Sequence, residues 1–546
     1  MPSIRSPLIL SALLLLAVFL VHLDSLHNGF HYDDGHSIVR NPHIRHLGHL
    51  PHFFTTPQMY SENPDYAMYR PAVLALHSLN YAWTQYQPWS YHLVNLLLHG
   101  LVCLLVFHTF RVLGLPSFAA FAGALFFGLH PVQTEPINYI SSRSESLSAL
   151  FYLLAFFAYL KTLDHNSVSW RWHILSLASL ALALFSKEIS LTFPLLLLAH
   201  AWFLQRRPVS LWSRLWPRHL PYWLISGLYT LIYQLLTSHS LERAFQVRSW
   251  SAHMATQAKA LVHYIKLAFA PLALNVHQQF FISPSALEAA SFIALLFGLS
   301  LLSCLLLLRN RLPLFCFGLI WFALALLPTF IIPLHILVND HRLYLPLIGL
   351  ALALVSLLPT LRVRWPLYLL CSLLALLSYQ HTPVWRNALT LWQNAAQRAP
   401  LMPEAHYNLG HAHHLVGNLD PARHAYEHAI ELSPRYVLAL TNLGAIYREQ
   451  NRLEDAIKLF KIVLQEEPHR EEALNNLGLI YVQQKRYNEG IRLYQQILER
   501  SPNLAETWLN LGLAYRDLGQ REQAAHALMR AIQLKPDLKR QFPMDK

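Results

Sequence analysis

Residues 441–468 read TNLGAIYREQNRLEDAIKLFKIVLQEEP, and their pattern recurs along the end of the chain with a fixed period. Proline stands at 34-residue intervals, at positions 400, 434, 468, 502 and 536. The triplet Asn-Leu-Gly keeps the same interval, at 408–410, 442–444, 476–478 and 510–512. One such unit is too short to bury its own hydrophobic face, so the pattern predicts a stack of similar helical units.

A 34-residue period of this kind is typical of tetratricopeptide (TPR) repeats, in which each unit is a pair of helices. The glycine of each triplet permits close helix contact, and Tyr447, Tyr481 and Tyr515 follow it three residues later. We therefore predict four TPR repeats over residues 403–536. A linker and partial TPR helix at 382–402 would precede them, and a tail at 537–546 would follow.

Stacked TPR units present a groove that binds a peptide or a partner protein. One asparagine per repeat would line this groove, and we predict peptide binding by Asn408, Asn442, Asn476 and Asn510. The alternative is that asparagine is simply common at this position of the repeat. The histidines of HAHH, residues 411–414, point in different directions on a helix, so we predict no metal site.

The remainder of the chain has the composition of a membrane protein. Hydrophobic residues make up 54% of the 546 residues and charged residues 13%, against about 25% charged residues in a typical soluble domain. The apolar blocks end near residue 377, which predicts a helical membrane domain over residues 1–381. The net charge of +12 fits cytoplasmic loops near anionic lipid, and we find no nucleic-acid motif.

The hydropathy pattern predicts about eleven membrane spans and therefore an all-α, polytopic fold. Their ranges are 7–23, 93–113, 117–131, 146–162, 172–186, 189–204, 220–238, 288–308, 313–333, 343–361 and 366–381. A twelfth stretch, residues 259–275, contains Lys259, His263, Lys266 and Pro271 and is a poor span. We interpret the first apolar block as a retained span, because no small-residue cleavage site follows it.

Arginine-rich loops set the predicted orientation, because such loops stay in the cytoplasm. If the chain has eleven spans, three arginine-containing loops lie on the same side of the membrane. They contain Arg206 with Arg207, Arg309 with Arg311, and Arg362 with Arg364. This predicts an N-terminus inside, a first extracytoplasmic loop at 24–92, and an extracytoplasmic TPR domain. We expect a bacterial inner membrane.

Ionisable residues gather in the predicted outer loops. Asp33 and Asp34 follow the first span closely, where an apolar environment raises a carboxylate pKa toward the range of a general base. A loop turn capped by aspartate is the alternative. Lys187 and Glu188 lie between two apolar segments, where ionisable residues are usually functional, although a structural Lys–Glu pair is the alternative.

Other polar residues share one side of the first apolar helices. His92, Asn95 and His99 have i, i+3, i+7 spacing and therefore lie on one helical face. A binding site and a helix–helix hydrogen bond explain this face equally well. The next outer loop adds further candidates, namely His130, Glu135 and Arg143.

Six motifs in a fixed order resemble those of one known family. They are HYDDGHSIVRNPHI (31–44), MYRPAV (68–73), HLVNLLLH (92–99), LHPVQTEPINYISSRSE (129–145), FSKEIS (185–190) and NDHRLYLP (339–346). Followed by TPR repeats, this order resembles the transmembrane and TPR-repeat-containing O-mannosyltransferases and their bacterial relatives, which are glycosyltransferases of the GT-C class. The resemblance implies an inverting transfer of a sugar, by precedent mannose, from a polyprenyl-phosphate carrier to Ser or Thr hydroxyls of a protein.

The resemblance also implies roles for individual residues. Asp33 or Asp34 would be the base that activates the acceptor hydroxyl, and Glu135 would be a second catalytic acid. Substrate binding would fall to residues of the remaining motifs, namely Arg70, His99, His130, Arg143, Lys187, Glu188 and Arg342. Among these, Arg143, Lys187 and Arg342 would neutralise the leaving phosphate.

The sequence leaves two other functions open. A non-catalytic scaffold would assemble an envelope complex through its TPR repeats, and Asp33, Asp34 and Glu135 would then be dispensable. A transporter or flippase of a lipid-linked sugar would need polar residues spread through several spans, whereas here they gather at one face. For the enzyme, the lipid-linked sugar is the donor, a protein bound in the TPR groove is the acceptor, and a divalent cation stays open as a cofactor.

Overall fold

The computed structural model describes residues 6–163, 170–205, 212–245, 248–285, 288–358 and 365–540, which form helices and connecting segments without a strand. The chain divides into two compact units, residues 1–394 and 395–546. Arg206, Arg207, Arg362 and Arg364, on which the predicted orientation partly rests, lie outside the described residues, as does 541–546 of the predicted tail.

The first unit contains the long apolar helices. Its helices are α1 (Pro7–His22), α2 (Pro71–Thr84), α3 (Pro88–Val112), α4 (Ser117–Gly128), α5 (Thr134–Asn138), α6 (Arg143–Leu163), α7 (Trp170–Ser186), α8 (Phe193–Leu204), α9 (Trp212–Phe245), α10 (Trp250–Phe269), α11 (Ala289–Leu308), α12 (Pro313–Ile331), α13 (Tyr344–Ser356) and α14 (Trp365–His381). A further helix, α15 (Ala388–Arg398), crosses the boundary between the units.

Six helical segments in the described residues are long and apolar enough to cross a membrane. They are Pro7–His27, Pro88–Val112, Ile140–Leu163, Ser291–Leu308, Pro313–Ile331 and Pro366–Trp385, and two shorter apolar helices occupy Ser117–Gly128 and Glu188–Leu204. The chain is therefore a multi-pass membrane protein. The count of eleven spans is not confirmed by this criterion and stays a prediction.

Proline and glycine shape this unit at specific points. Pro71, Pro88 and Pro313 each stand in the first turn of their helix, where the missing N–H has no helical partner to lose. Gly318 and Gly349 bring α12 and α13 together: a Cβ added at Gly318 would lie 2.6 Å from the backbone nitrogen of Ala353. The two helices pack backbone to backbone here, as small residues allow in membranes.

Short helical turns connect several of these helices. The predicted first loop contains α2 and the turns Leu23–His27, Gly35–Val39, His43–Arg45, Leu47–Phe54, Pro57–Tyr60 and Pro64–Tyr66. Further turns are Pro131–Gln133, Ile140–Ser142, Glu188–Thr192, Asp340–Leu343 and Thr382–Trp385. These turns leave many backbone groups available to position side chains.

The second unit is a row of helix pairs. They are α16 (Pro403–Leu415) with α17 (Leu419–Leu432), α18 (Val437–Glu449) with α19 (Leu453–Glu466), α20 (Glu471–Gln483) with α21 (Tyr487–Arg500), and α22 (Ala505–Asp517) with α23 (Arg521–Leu534). The turn Pro536–Arg540 follows. In each pair the triplet glycine faces a large side chain of the second helix, and a Cβ at Gly478 would lie 2.7 Å from the Tyr494 ring. The predicted all-α fold with a TPR array is confirmed.

Candidate active site

A cavity of about 290 Å³ lies in the first unit, and we call it the polar cavity. One wall carries ionisable side chains, namely Asp33, His36, Arg70, Glu145, Lys187, Glu188, His341 and Arg342. The lining also includes apolar residues from the end of α12 and the segment after it, namely Ala325, Leu326, Pro328, Ile332, Leu334 and Ile336. The cavity therefore joins a charged surface to an apolar one.

The two aspartates of the first loop have different environments. Asp34 is fully buried, and its carboxylate accepts hydrogen bonds from the His31 N–H (3.0 Å), the Ser141 N–H (2.8 Å) and the Ser141 hydroxyl (2.6 Å). Burial raises the pKa of Asp34 to about 7, and these hydrogen bonds oppose the rise. Asp34 thus fastens the first loop to the segment before α6.

Asp33 instead turns its carboxylate toward the polar cavity, where the side chain is 41% exposed. Its Oδ1 lies 3.4 Å from His36 Nε2, and its backbone N–H donates to the Tyr139 hydroxyl at 3.3 Å. Tyr32, directly before it, has a φ of 49°, a left-handed conformation that is uncommon for a residue other than glycine. Asp33 therefore lines the polar cavity, whereas the neighbouring Asp34 is buried against Ser141.

Glu135 reaches the cavity through His341. Its Oε2 accepts the His341 backbone N–H at 3.1 Å, and its Oε1 lies 2.7 Å from His341 Nδ1. Burial raises the pKa of Glu135 to about 8 and lowers that of His341 to about 3. At neutral pH we therefore expect a protonated Glu135 that donates to a neutral imidazole.

Two ion pairs cross the charged wall. Lys187 pairs with Glu145, which is 2% exposed and also lies 3.7 Å from His341 Nε2. Arg70 pairs with Glu188 at 3.1 Å. The Lys187–Glu145 pair joins the segment between α7 and α8 to α6, and the Arg70–Glu188 pair joins the same segment to the first loop. The two pairs therefore connect the segments that carry the ionisable side chains.

Arg342 differs from the other two cations of the cavity. Its guanidinium donates to the carbonyl oxygens of Ile336 and Leu337, both at 2.9 Å. Within the described ranges no carboxylate lies at ion-pair distance from it. The neighbouring Asp340 accepts hydrogen bonds from the Asn275 N–H and the Gln278 side chain, each at 2.8 Å. Among the described residues Arg342 therefore has a positive charge without a carboxylate at ion-pair distance.

Arg143 lies away from the polar cavity. It is fully buried, and its guanidinium donates to Asn95 Oδ1 (2.7 Å) and to the Tyr91 carbonyl (2.8 Å), with His77 Nδ1 at 3.3 Å. These contacts join α2, α3 and α6. The structure thus gives this predicted phosphate ligand a set of protein partners.

His99 and His130 also have partners inside the helix bundle. His99 Nδ1 lies 2.8 Å from the Tyr344 hydroxyl and its Nε2 3.1 Å from the Gly128 carbonyl. His130 Nε2 lies 3.0 Å from the Ala268 carbonyl. Neither side chain lines the polar cavity. His99 makes the helix-to-helix hydrogen bond that the sequence left open as the alternative, and His130 joins the segment after α4 to α10.

The four TPR asparagines form hydrogen bonds with other residues of the second unit. Asn408 and Asn476 donate to the carbonyls of Glu404 (2.8 Å) and Glu472 (2.7 Å). Asn442 donates to the Tyr426 hydroxyl (3.3 Å), and Asn510 donates to Asn475 Oδ1 (2.9 Å). Peptide binding by these asparagines stays a prediction. No group of three metal-ligating side chains gathers in the part of the chain that the structure describes.

Sequence reasoning missed several residues of the polar cavity, namely His36, Tyr139, Glu145 and His341. Glu145 ends one of the six motifs and begins the apolar α6, so the test applied to Lys187, an ionisable residue at a membrane boundary, would have found it. His36 and His341 stand one to three residues from predicted candidates, but histidine is abundant in this chain and spacing alone does not separate them.

Comparisons with known proteins match the repeats and part of the chain's length. Tetratricopeptide repeat models match residues 403–436, 425–458 and 469–537. Protein O-mannosyl-transferase TMTC3 of Mus musculus is 32% identical over 175 residues, which are 31% of this chain and 19% of the relative. TMTC1 of Homo sapiens is 35% identical over 167 residues, 29% of this chain and 18% of the relative. Tmtc1 of Drosophila melanogaster is 33% identical over 184 residues, 33% of this chain and 21% of the relative.

Solved structures also match part of this chain. A crystal structure of MamA is 19% identical and covers 29% of this chain and 86% of that one, with a TM-score of 0.25. YrrB, described as a TPR protein with an unusual peptide-binding site, is 19% identical and covers 27% of this chain and 77% of that one, with a TM-score of 0.25.

The matched segments span about a fifth of the length of the curated relatives. Relatives from mouse, human and fly share this similarity, and all are named protein O-mannosyl-transferases. The resemblance predicted from the six motifs is confirmed: the chain carries tetratricopeptide repeats and is similar to the TMTC protein O-mannosyl-transferases.

Proposed function

We propose that this chain is a membrane glycosyltransferase that moves a sugar, mannose by the precedent of its relatives, from a polyprenyl-phosphate carrier to Ser or Thr hydroxyls of a protein. The observation that supports this most is the polar cavity. It combines an available carboxylate, a cation without an acidic partner and an apolar surface. A lipid-linked sugar phosphate that meets a hydroxyl needs these three environments.

Asp33 is the proposed base. In an inverting transfer the acceptor oxygen forms a bond to the anomeric carbon while the bond from that carbon to the phosphate oxygen breaks, and the electron pair leaves with the phosphate. The hydroxyl proton passes to the carboxylate of Asp33. Asp34 is less suited to this role, because it is fully buried outside the cavity lining and its carboxylate is hydrogen-bonded to Ser141 and the His31 N–H. It acts as a positioning residue.

Arg342 is the proposed partner of the leaving phosphate. Positive charge lowers the barrier most where negative charge develops, and the phosphate oxygen gains charge as the glycosidic bond breaks. Arg70 and Lys187 already have carboxylate partners, so their charges are largely balanced before substrate binds. Arginine also matches phosphate geometry with two parallel N–H donors.

The apolar lining would receive the first units of the prenyl chain. Ala325, Leu326 and Pro328 belong to the last turns of α12, and Ile332 directly follows that helix. Contact between these side chains and the lipid removes apolar surface from water, which favours binding. The charged end of the carrier then lies in the same cavity as Arg342.

The TPR array is proposed to bind the protein acceptor or a partner, as stacked helix pairs commonly do. We further propose that it lies outside the cytoplasm of a bacterial cell, on the basis of the arginine distribution. Labelling of a cysteine introduced in the tail, in intact cells with an impermeant maleimide, tests this orientation. A tail that reacts only after the membrane is opened contradicts it.

The activity is tested by reconstituting the full chain in vesicles with polyprenyl-phosphate mannose and membrane-protein acceptors, and measuring radiolabelled mannose in protein. Asp33→Asn should lower the rate by about 10² to 10⁴-fold, the usual contribution of a general base. Glu62→Gln is the matched control, because this acid lies in the same loop and pairs with Arg40 at the surface. We expect its rate to equal that of the wild type.

The same assay separates an enzyme from a scaffold. If Asp33→Asn transfers mannose as fast as the wild type, the proposed base is wrong. If the wild type transfers no sugar from several polyprenyl-phosphate donors, the enzyme proposal fails and the scaffold gains support. Arg342→Gln should also lower the rate, since Arg342 acts on the leaving group.

A further inference from the structure

The TPR repeats contain a recurring contact between a tyrosine and an arginine. In the second repeat the Arg452 guanidinium lies 4.0 Å from the centre of the Tyr447 ring and pairs with Asp455 at 2.7 Å. The third repeat has the same arrangement 34 residues later. Arg486 lies 4.2 Å from the Tyr481 ring and pairs with Glu489. Each of these rings is therefore covered by a cation that has its own carboxylate partner.

The fourth repeat keeps the tyrosine and loses both charged partners. Tyr515 stands 34 residues after Tyr481, but the positions that correspond to Arg486 and Glu489 are Gln520 and Gln523. The ring thus lacks the internal cation that covers its two counterparts. Its hydroxyl accepts a hydrogen bond from the Gln495 side chain at 3.0 Å, which fixes the ring in place.

An open cavity of about 700 Å³ occurs at this same position, and we call it the Tyr515 cavity. Trp508 and Tyr515 supply aromatic surface, and Glu499, Glu522 and Gln523 also line it. In the described part of the chain neither glutamate forms an ion pair with a basic side chain. Two aromatic rings and two unpaired carboxylates therefore border one cavity.

We propose that the Tyr515 cavity binds an arginine side chain from a peptide segment of a partner protein. A guanidinium would stack on the half-buried Tyr515 ring at the cavity and pair with a carboxylate, as Arg452 and Arg486 do within the second and third repeats. The partner supplies in trans the cation that the fourth repeat lacks. This inference is independent of the glycosyltransferase activity and names an interaction site distinct from the TPR asparagines.

The test compares the binding of two fluorescein-labelled Gly-Ser peptides, one with a central arginine and one with glutamine, to the purified full chain at low salt. Wild type should bind the arginine peptide about fivefold or more tightly, as expected for a guanidinium stacked on a ring. The double variant Gln520→Arg/Gln523→Glu restores the internal arrangement of the second and third repeats. It should abolish the preference, because its own arginine would occupy the ring.

A second variant and a control isolate the carboxylates. Glu499→Gln/Glu522→Gln should reduce the arginine preference, whereas Glu454→Gln should leave it unchanged, because Glu454 holds the position of Glu522 in a repeat whose ring is already covered. Circular dichroism would verify unchanged helix content in each variant. Equal binding of the two peptides by wild type, or a preference that persists in Gln520→Arg/Gln523→Glu, would overturn the proposal.

Discussion

The two units of this chain use charged residues in opposite ways. In the membrane unit Lys187 and Glu145 pair while 12% and 2% exposed, whereas in the TPR unit Arg486 and Glu489 pair while 45% and 44% exposed. The first pair joins segments that are 42 residues apart, and the second joins residues three apart at the start of α21. Charges in the membrane unit therefore depend on the tertiary fold, and charges in the repeats depend mainly on local sequence.

This difference indicates what each unit needs its charges for. A buried pair must overcome the desolvation of both ions, so it is a poor means of gaining stability. A surface pair costs little and contributes little. We infer that the buried charges around the polar cavity are there for the reaction, and that the repeats gain their stability from apolar packing such as that of Gly478 on Tyr494.

The largest expected effect comes from breaking the buried pair. Lys187→Met leaves Glu145 charged and buried, which should destabilise the membrane unit by about 3–5 kcal/mol. Adding Glu145→Gln should recover much of the loss, because no uncompensated charge then remains. Thermal unfolding in detergent would measure both. If the single and double variants unfold at the same temperature, Lys187 does not neutralise a buried charge on Glu145, and this interpretation of the pair is wrong.

Packing in the repeats provides the next test. Gly478→Ala would place a Cβ 2.7 Å from the Tyr494 ring, and we expect a loss of about 1–3 kcal/mol from overpacking. The matched control is Gly227→Ala in α9, where a Cβ would meet no atom within 4 Å. This change should be neutral or slightly stabilising. Equal effects at the two glycines would contradict the proposed role of close packing in the TPR unit.

The pH dependence of stability tests the Glu135–His341 contact. Burial raises the pKa of Glu135 from its ordinary 4.5 to about 8, so the folded protein keeps a proton that the unfolded chain releases. Stability should therefore fall as the pH rises from about 4.5 to about 8. Glu135→Gln imitates the protonated acid and should remove this decrease in the free energy of unfolding, which is on the order of 1 kcal/mol or more. An unchanged slope would indicate an ionised Glu135.

The smallest effect is expected at the repeat surface. Arg486→Ala removes a pair that water surrounds and a stacking contact with Tyr481, and should lower the unfolding temperature less than any other destabilising change described here. Raising the salt concentration should shrink the effect further. A loss as large as that of Lys187→Met would erase the distinction between the two units.

The sequence predicted the repeats far better than the site. The 34-residue period repeats the same motif in each helix pair, so each repeat supports the prediction of the others. The polar cavity instead forms from segments that meet only in the folded chain. Asp33 and Asp34 are indistinguishable as neighbours in a loop. They separate only because Ser141, more than a hundred residues away, occupies Asp34.

Helical spacing had a similar limit in the membrane unit. It correctly placed polar residues of α3 on buried positions, but it could not show whether they meet a substrate or another helix. His99 contacts Tyr344, and Asn95 contacts Arg143. Both partners come from other helices, so sequence periodicity contains no information about them. Arg342 could be named from its motif, but its lack of an acidic partner required the structure.

The central claim is that the polar cavity joins a lipid-linked sugar to a hydroxyl with Asp33 as the base. The most direct measurement counts both products of one reaction: polyprenyl phosphate released and sugar attached to Ser or Thr, by mass spectrometry of reconstituted wild type and Asp33→Asn. We expect equal amounts of the two products in wild type and a parallel loss of both in the variant. Release of polyprenyl phosphate without sugar on protein, or undiminished transfer by Asp33→Asn, would contradict the account.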